Sequence, residues 1–309
     1  MDLKITVSNP FGHRVSPYAD QIRDISNNWI DAEYSTLTPA FQRMLKTLDA
    51  ACWASNCWPD APFPLLCTIT RIVLFVTAFD DFYASLSTRE VQKAGDRVLA
   101  IAGGAVPLPG EHPILQQVSI IMRELTAVSS PQWVQKFIYY LSQLMEGIKI
   151  DSQISYRQDV QYPAIRDYIP LRRKSMAAGA ISCTIELVAG ILPEFICVHP
   201  YIQRTRALTE DLMGWGNDLA SVEKEMADKE AMNLVLVIKH ERNCCMEAAV
   251  EEAVQMYNAH VREYMQLRSD MPDFGIYTPA VMKFMEGQGL WLSGQLHWFD
   301  QTDRYKPEG

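Results

Sequence analysis

Beyond about residue 30, apolar positions recur at helical spacing in almost every window, and the few β-branched runs, such as Ile72-Val73, fall inside those windows. Residues 1–30 carry Pro10, Gly12 and Pro17 with little periodicity, and read as an irregular lead-in placed to pack over a site. A helix over Ala40–Trp53 is broken by three prolines between Trp58 and Pro64. Leu65 to about Leu86 is apolar on all sides, which predicts a central, buried helix, and it runs into Asp80-Asp81 near its end.

Gly103–Pro113 is the clearest loop. His112–Leu125 and Trp133 to about Asp151 read as amphipathic helices, the second started by Ser129-Ser130 before Pro131. Between Pro163 and Pro193 the helical pattern is interrupted near Ala177–Gly179. Tyr201 to about Asp228 is helical with a second polar series, Ala231–Leu267 is nearly continuous helix, and Thr278-Pro279 caps a last helix to Trp298. No repeat, obvious linker or glycine-rich turn after a strand is present, so the pattern predicts one all-α domain over 1–309 with a tail at 299–309.

The chain's 309 residues, 48% hydrophobic and 21% charged, suffice for a large core and exclude a disordered chain. A net charge of -9, from 37 acids against 28 bases, makes nucleic acid a poor partner and gives anionic membranes little to attract. An anionic small molecule stays open, because a divalent metal inverts the sign of an acidic site. Seven irregularly spaced cysteines read as buried free thiols in a reducing compartment. Met1-Asp2-Leu3-Lys4 lacks a signal peptide's basic flank and apolar run, and Arg71 and Glu186 interrupt the long apolar runs, so a cytoplasmic protein with no membrane partner is expected.

Two segments carry candidate chemistry. Asp80 and Asp81 close an apolar helix, and carboxylates in apolar surroundings are costly unless paired or bound to metal. The pair alone fits better a helix that surfaces and turns its acids to water. Asn217, Ser221 and Glu225 stand at i, i+4 and i+8, on one helical face, and offer hard oxygen ligands suited to Mg²⁺. Chance spacing on an ordinary polar face is the plain alternative. Lys224, Arg172-Arg173-Lys174 and Arg304-Tyr305 supply donors for an anion such as a diphosphate.

Together these segments resemble the class I terpene synthases of bacteria and similar microbes. Asp80-Asp81 looks like the start of the aspartate-rich motif, and Asn217-Asp218-Leu-Ala-Ser221-Val-Glu-Lys-Glu225 resembles the second metal motif. Tyr168-Ile-Pro-Leu-Arg172-Arg173-Lys-Ser175 is similar to the diphosphate-sensing segment, with Arg173 matched to the sensor and Met176 and Ala177 to the linker and effector at the helix break. Trp291-Leu-Ser-Gly294-Gln-Leu-His-Trp298 and Arg304-Tyr305 resemble the closing helix and its Arg-Tyr pair, so the likeness spans about residues 8–305.

The resemblance implies a helical bundle around a central cavity. Three Mg²⁺ ions, with Mn²⁺ as a substitute, would be held by Asp80, Asn217, Ser221 and Glu225. An isoprenyl diphosphate would be held by Arg173, Asn217, Lys224, Arg304 and Tyr305, while Asp81 serves more to hold neighbouring bases. An apolar pocket for the carbocation would draw on Phe75, Phe79, Trp215, Trp291 and Trp298, each of which also fits plain core packing. Phe75 and Phe79, one turn apart, are expected on the wall near the metals.

Two departures stand out. The motif's third acid is missing, since Phe82, Tyr83, Ala84 and Ser85 follow Asp81 and the next acid is Glu90. Ala177 also stands where glycine is common, with Gly179 nearby.

The expected reaction is cyclisation of farnesyl diphosphate to a sesquiterpene with release of diphosphate. Geranylgeranyl diphosphate is the alternative substrate. A chain-elongating prenyltransferase would show two aspartate-rich motifs, and the truncated first motif leaves a non-catalytic helical interaction protein as the contrasting reading. A homodimer is the common state of soluble helical enzymes.

Overall fold

The computed structural model describes residues 5–84, 86–155 and 160–305, and these form one all-α bundle. Its helices are α1 (Ala19–Glu33), α2 (Pro39–Leu48), α3 (Ala50–Cys57), α4 (Phe63–Tyr83), α5 (Thr88–Ala102), α6 (Pro113–Val128), α7 (Pro131–Ile154), α8 (Ile165–Ser175), α9 (Ala178–Ser182) and α10 (Ile185–Ala189). There follow α11 (Glu194–Cys197), α12 (Pro200–Asp228), α13 (Leu234–Arg242), α14 (Met246–Ser269) and α15 (Thr278–Gln301).

Boundaries differ from the sequence expectation in instructive ways. The lead-in ends at Tyr18, because α1 already starts at Ala19 and buries Ile22, Ser26 and Ile30. The helix expected over Ala40–Trp53 is two, turned at Asp49, whose backbone is left-handed and whose carboxylate accepts from the Cys52 N–H at the start of α3. Asn243, also left-handed, divides the long run after Ala231 into α13 and α14. Asp and Asn tolerate this conformation better than other side chains, so such breaks need no glycine. Thr278 does not cap α15: its hydroxyl accepts from the Phe274 N–H and donates to Asp273 in the turn before the helix. The tail begins later than expected, as α15 runs to Gln301.

The apolar helix α4 is central, with its buried residues spread around its circumference from Leu65 to Tyr83. By length and composition α4 could cross a membrane, yet two thirds of its apolar window is buried against the rest of the chain. Arg71, its one base, is satisfied inside the fold: it makes a paired contact to Glu33 at 2.6 and 2.9 Å, bonds Gln117 at 3.1 Å and lies over the Trp29 ring. All seven cysteines are unpaired thiols.

Two glycines set how closely the cavity's walls approach. A Cβ on Gly294 of α15 would lie 2.5 Å from the Asn56 backbone, and one on Gly147 of α7 would lie 2.5 Å from the Ser175 nitrogen. Larger residues at either point would push α3 from α15 or α8 from α7.

Candidate active site

A single cavity is bounded by α3, α4, α7, α8, α12, α15 and the chain after α15, and it encloses about 140 Å³ of space open to water-sized molecules. Asp80 enters it from α4. The turns below Asp80 on the same face are Val76, Thr77 and Val73, which also line the cavity. Phe75 and Phe79 do not. Phe79 is fully buried and packs between Phe75 at 6.0 Å and Tyr83 at 4.6 Å, while Phe75 lines a small void behind α4 with Ile121 and Phe137. The expectation for these two rings is corrected by helix geometry: one residue is 100° of rotation, so the 75/79 line faces away from the 73/76/80 line.

No hydrogen bond or ion pair engages the Asp80 carboxylate among the described residues. Burial, and then the charges of Asp81, Glu230 and Asp151, push its carboxyl well above the usual range, offset in part by Arg172. Asp81 has the opposite fate. It takes the Arg304 guanidinium in a paired contact at 2.9 to 3.1 Å, as the sequence reading expected of an acid that holds a base. The next acid in sequence does not replace the missing third one: α4 stops at Tyr83, and Glu90 is spent in the capping box of α5, accepting from the Ser87 N–H at 3.1 Å. Ser85 lies outside the described residues.

Across the cavity, α12 presents Asn217 and Glu225, while Ser221 between them is buried and is not on the cavity wall. The Ser221 hydroxyl donates to the Asn217 carbonyl at 2.7 Å and lies 2.8 Å from Glu225, whose other oxygen accepts from Asn233 at 2.8 Å. Asn217 Oδ1 accepts from Arg172 at 3.0 Å, and its Nδ2 donates to the Tyr305 hydroxyl at 2.8 Å. Burial raises the Glu225 carboxyl, with Arg172 opposing. Asp218, turned off this face and fully buried, accepts from Tyr168 and from the Leu234 N–H at 2.8 Å, and forms an ion pair with Arg172 at 2.5 Å. It aims Arg172 at the α12 acids.

Arg172 rather than Arg173 therefore reaches the cavity. Arg173, matched in sequence to the sensor, is bound by two of its nitrogens to Asp211 at 2.6 Å and is not on the cavity wall. Adjacent residues of α8 point about 100° apart, and the buried Asp218 and Asp211 of α12 each take one arginine.

The break itself falls at Met176 and Ala177, both on the cavity wall, with Ala177 at φ 58°. Gly179 plays no part in the turn; it lies inside α9, where a Cβ would meet the Tyr140 ring at 2.4 Å. Lys224 lines the cavity and contacts Asp228 at 3.0 Å and Glu230 at 3.4 Å.

Of the tryptophans, Trp298 lines the cavity, its Nε1 donating to the Leu48 carbonyl at 3.0 Å. Trp215 packs on His260 at 4.4 Å and Trp291 beside Trp58 at 6.4 Å, both away from the wall, so these two expectations are corrected to core packing. Trp53 of α3 is the ring that sequence reasoning missed. Asp151 and Glu230 were also missed: burial pushes the first up to about 6, and burial with the Glu225 charge pushes the second up to about 7. Asp151 sits in the last turn of α7 and Glu230 in the loop after α12, where no local pattern singles them out.

The donor set fits a hard divalent cation. Among the described residues, no three acids, cysteines or histidines cluster closely enough to hold a metal alone. The available ligands are instead a lone carboxylate on α4 facing an amide, a hydroxyl and a carboxylate on α12, a pattern that leaves coordination positions for water or phosphate oxygen.

A helical bundle with two acid-bearing helices facing each other across one cavity is the architecture of a class I terpenoid synthase. The family model for terpene synthase family 2, C-terminal metal binding, matches residues 71–263, and the chain belongs to this family. It is similar to germacrene A synthase of Nostoc punctiforme, 24% identical over 96% of this chain and 93% of that one. A (+)-T-muurolol synthase of Roseiflexus castenholzii, named as cyclising (2E,6E)-farnesyl diphosphate, is 25% identical over 99% and 95%. Alpha-muurolene synthase of Coprinopsis cinerea is 23% identical over 96% and 71%. Relatives thus come from bacteria and fungi alike, and the resemblance holds for the family, not for a bacterial branch of it. The solved α-eudesmol synthase shares the fold with a TM-score of 0.85 at 20% identity, covering 97% of this chain and all of its own.

Proposed function

We propose that this protein is a Mg²⁺-dependent sesquiterpene synthase that ionises farnesyl diphosphate, cyclises the fifteen-carbon chain and releases diphosphate. One observation carries the reading: the Asp80 carboxylate, without a hydrogen-bond or ion-pair partner among the described residues, Asn217 and Glu225 joined through Ser221, and three bases line one cavity whose remaining wall is largely apolar. The names of the relatives support the same substrate class.

In this reading Asp80 on one wall and Asn217, Ser221 and Glu225 on the other hold the metal. Bound Mg²⁺, three ions by family resemblance with Mn²⁺ as a substitute, supplies the positive charge that stabilises the departing diphosphate. Arg172, Lys224, Arg304 and Tyr305 donate to its oxygens. Asp81 keeps Arg304 aimed, and Asp218 does the same for Arg172. Donors that are already oriented stabilise developing charge without reorganising when the C–O bond breaks.

Below them Leu48, Val73, Val76, Leu144 and Ile181 exclude bulk water, and Trp53 and Trp298 offer ring faces to the cation. The relative named as cyclising (2E,6E)-farnesyl diphosphate favours the fifteen-carbon substrate over geranylgeranyl diphosphate. Mg²⁺-dependent diphosphate release from farnesyl, geranyl and geranylgeranyl diphosphates, with gas chromatography of the extracts, tests the reading. Release from farnesyl diphosphate with a cyclic product is expected, and no release from any of the three would overturn it in favour of a non-catalytic helical protein.

A further inference from the structure

The cavity wall is not wholly apolar beneath the acids. Thr77 lies one turn before Asp80 on α4, and Ser175 lies one turn after Arg172 on α8. Gln295 of α15 reaches the backbone of α12 one turn before Asn217, where its Nε2 donates to the Met213 carbonyl at 2.8 Å. A Cβ on Gly216 would stand 3.2 Å from that nitrogen, so the glycine leaves the amide its place. The Met213 carbonyl can only accept, which fixes the amide's orientation and leaves Oε1 as its uncommitted end.

Gln295 is 3% exposed and Ser175 8%. Among the described residues nothing donates to Gln295 Oε1 and the Ser175 hydroxyl has no partner. Thr77 has none either, although Thr70 on the same helix donates to the carbonyl four residues back at 2.8 Å. An unpaired buried polar atom costs about 1–3 kcal/mol. The Ser175 hydroxyl is such an atom, and with the unpaired Thr77 hydroxyl and Gln295 amide oxygen on the same cavity wall it matches the partners of an ordered water, which takes two to four hydrogen bonds.

We propose that Gln295, with Thr77 and Ser175, holds a water molecule inside the cavity and that this water ends the reaction, so that the product is a fifteen-carbon terpene alcohol. The inference rests on the proposed function and specifies its product. Gln295 Oε1 accepts one hydrogen of the water and turns an oxygen lone pair toward the hydrocarbon. That lone pair forms a C–O bond to the terminal cationic carbon, and the proton of the resulting oxonium passes to the released diphosphate. The ester C–O bond is broken, one C–O bond to water is made, and nothing is oxidised or reduced.

The test is turnover of farnesyl diphosphate with Mg²⁺ in H₂¹⁸O, measuring diphosphate release and the mass of each product. The wild-type chain is expected to give a cyclic alcohol carrying ¹⁸O. Thr77→Val and Gln295→Leu should each lower alcohol formed per diphosphate released about tenfold, the cost of one lost hydrogen bond, with hydrocarbon rising in its place. Thr77→Ser, which keeps the hydroxyl, should retain the alcohol. Diphosphate release with only hydrocarbon from the wild type, or an unchanged alcohol fraction in Thr77→Val and Gln295→Leu, would overturn the water site while leaving the synthase reading intact. No diphosphate release from any isoprenyl diphosphate would overturn both.

Discussion

The acid-bearing ends of α4 and α12 face each other across one cavity, yet they are built on different plans. On α12 every member of the series is tied in: Asn217 to Arg172 and Tyr305, Ser221 to Glu225, Glu225 to Asn233. On α4 the two acids divide, Asp80 facing the cavity without a partner among the described residues and Asp81 turned to Arg304. The contrast teaches that adjacency in sequence separates functions on a helix, whereas spacing by four unites them. A pair of neighbouring aspartates is one cavity acid and one clamp.

Breaking the α12 side should have the largest effect. Asn217→Ala should lower diphosphate release from farnesyl diphosphate by about 100-fold or more, as loss of an oriented charge-stabilising group does. The helical circular dichroism should be unchanged, because no apolar packing is removed. Wild-type turnover in this variant would end the case for α12 as a metal-binding face.

On α4 the division of labour gives unequal losses. Asp80→Asn should cost about 100-fold. Asp81→Asn should cost about tenfold, since Arg304 keeps its charge and loses only its aim. Equal losses in a steady-state diphosphate assay would mean that both acids do one job.

The helices and the α12 series were legible because both depend on local spacing. What escaped depends on rotation and on distant partners. Phe79 and Asp80 are neighbours in sequence, but the fold turns one to the core and the other to the cavity. Arg172 and Arg173 are chemically identical candidates, and the choice between them is made by Asp218 and Asp211 some forty residues on. Asp151 and Glu230 stand in no motif at all, and only the meeting of the α7 end with the loop after α12 brings them to one wall. Trp53 was hidden because the chain reverses at a left-handed Asp49 where a continuous helix was expected.

The two arginines offer a sharper version of the α4 comparison. Arg172→Lys should reduce diphosphate release by about tenfold or more, since the shorter lysine chain does not bring its ammonium to the place where Arg172 Nη2 meets both Asn217 and Asp218. Arg173→Leu should change release only a few-fold and cost about 1–3 kcal/mol of stability, because Asp211 is left buried with His260 at 3.4 Å as its remaining partner. Release assays and denaturant melts on both variants separate the roles, and a larger catalytic loss in Arg173→Leu would restore it as the sensor.

The smallest effect compares acids inside the cavity with acids outside it. Outside, Arg97 and Arg204 hold Glu111 and Glu263 below the usual carboxylate range, so these pairs contribute stability at neutral pH that is lost only as pH falls through the acid range. Inside, Asp151 and Glu230 are pushed up to about 6 and about 7, chiefly by burial. The folded chain holds their protons to a higher pH than the unfolded chain does, so stability should fall as pH rises from about 4 to 7, by on the order of 1–3 kcal/mol.

Thermal melts of the metal-free protein between pH 5 and 8 should therefore lose a few degrees. Added Mg²⁺ with inorganic diphosphate should flatten the profile by neutralising the wall, and Asp151→Asn should remove part of the slope without any ligand. A metal-free melting temperature that rises over this range would mean that the cavity acids are compensated by the protein's own bases, and that the wall formed by the α7 end and the loop after α12 is no more in need of a cation than the outer surface.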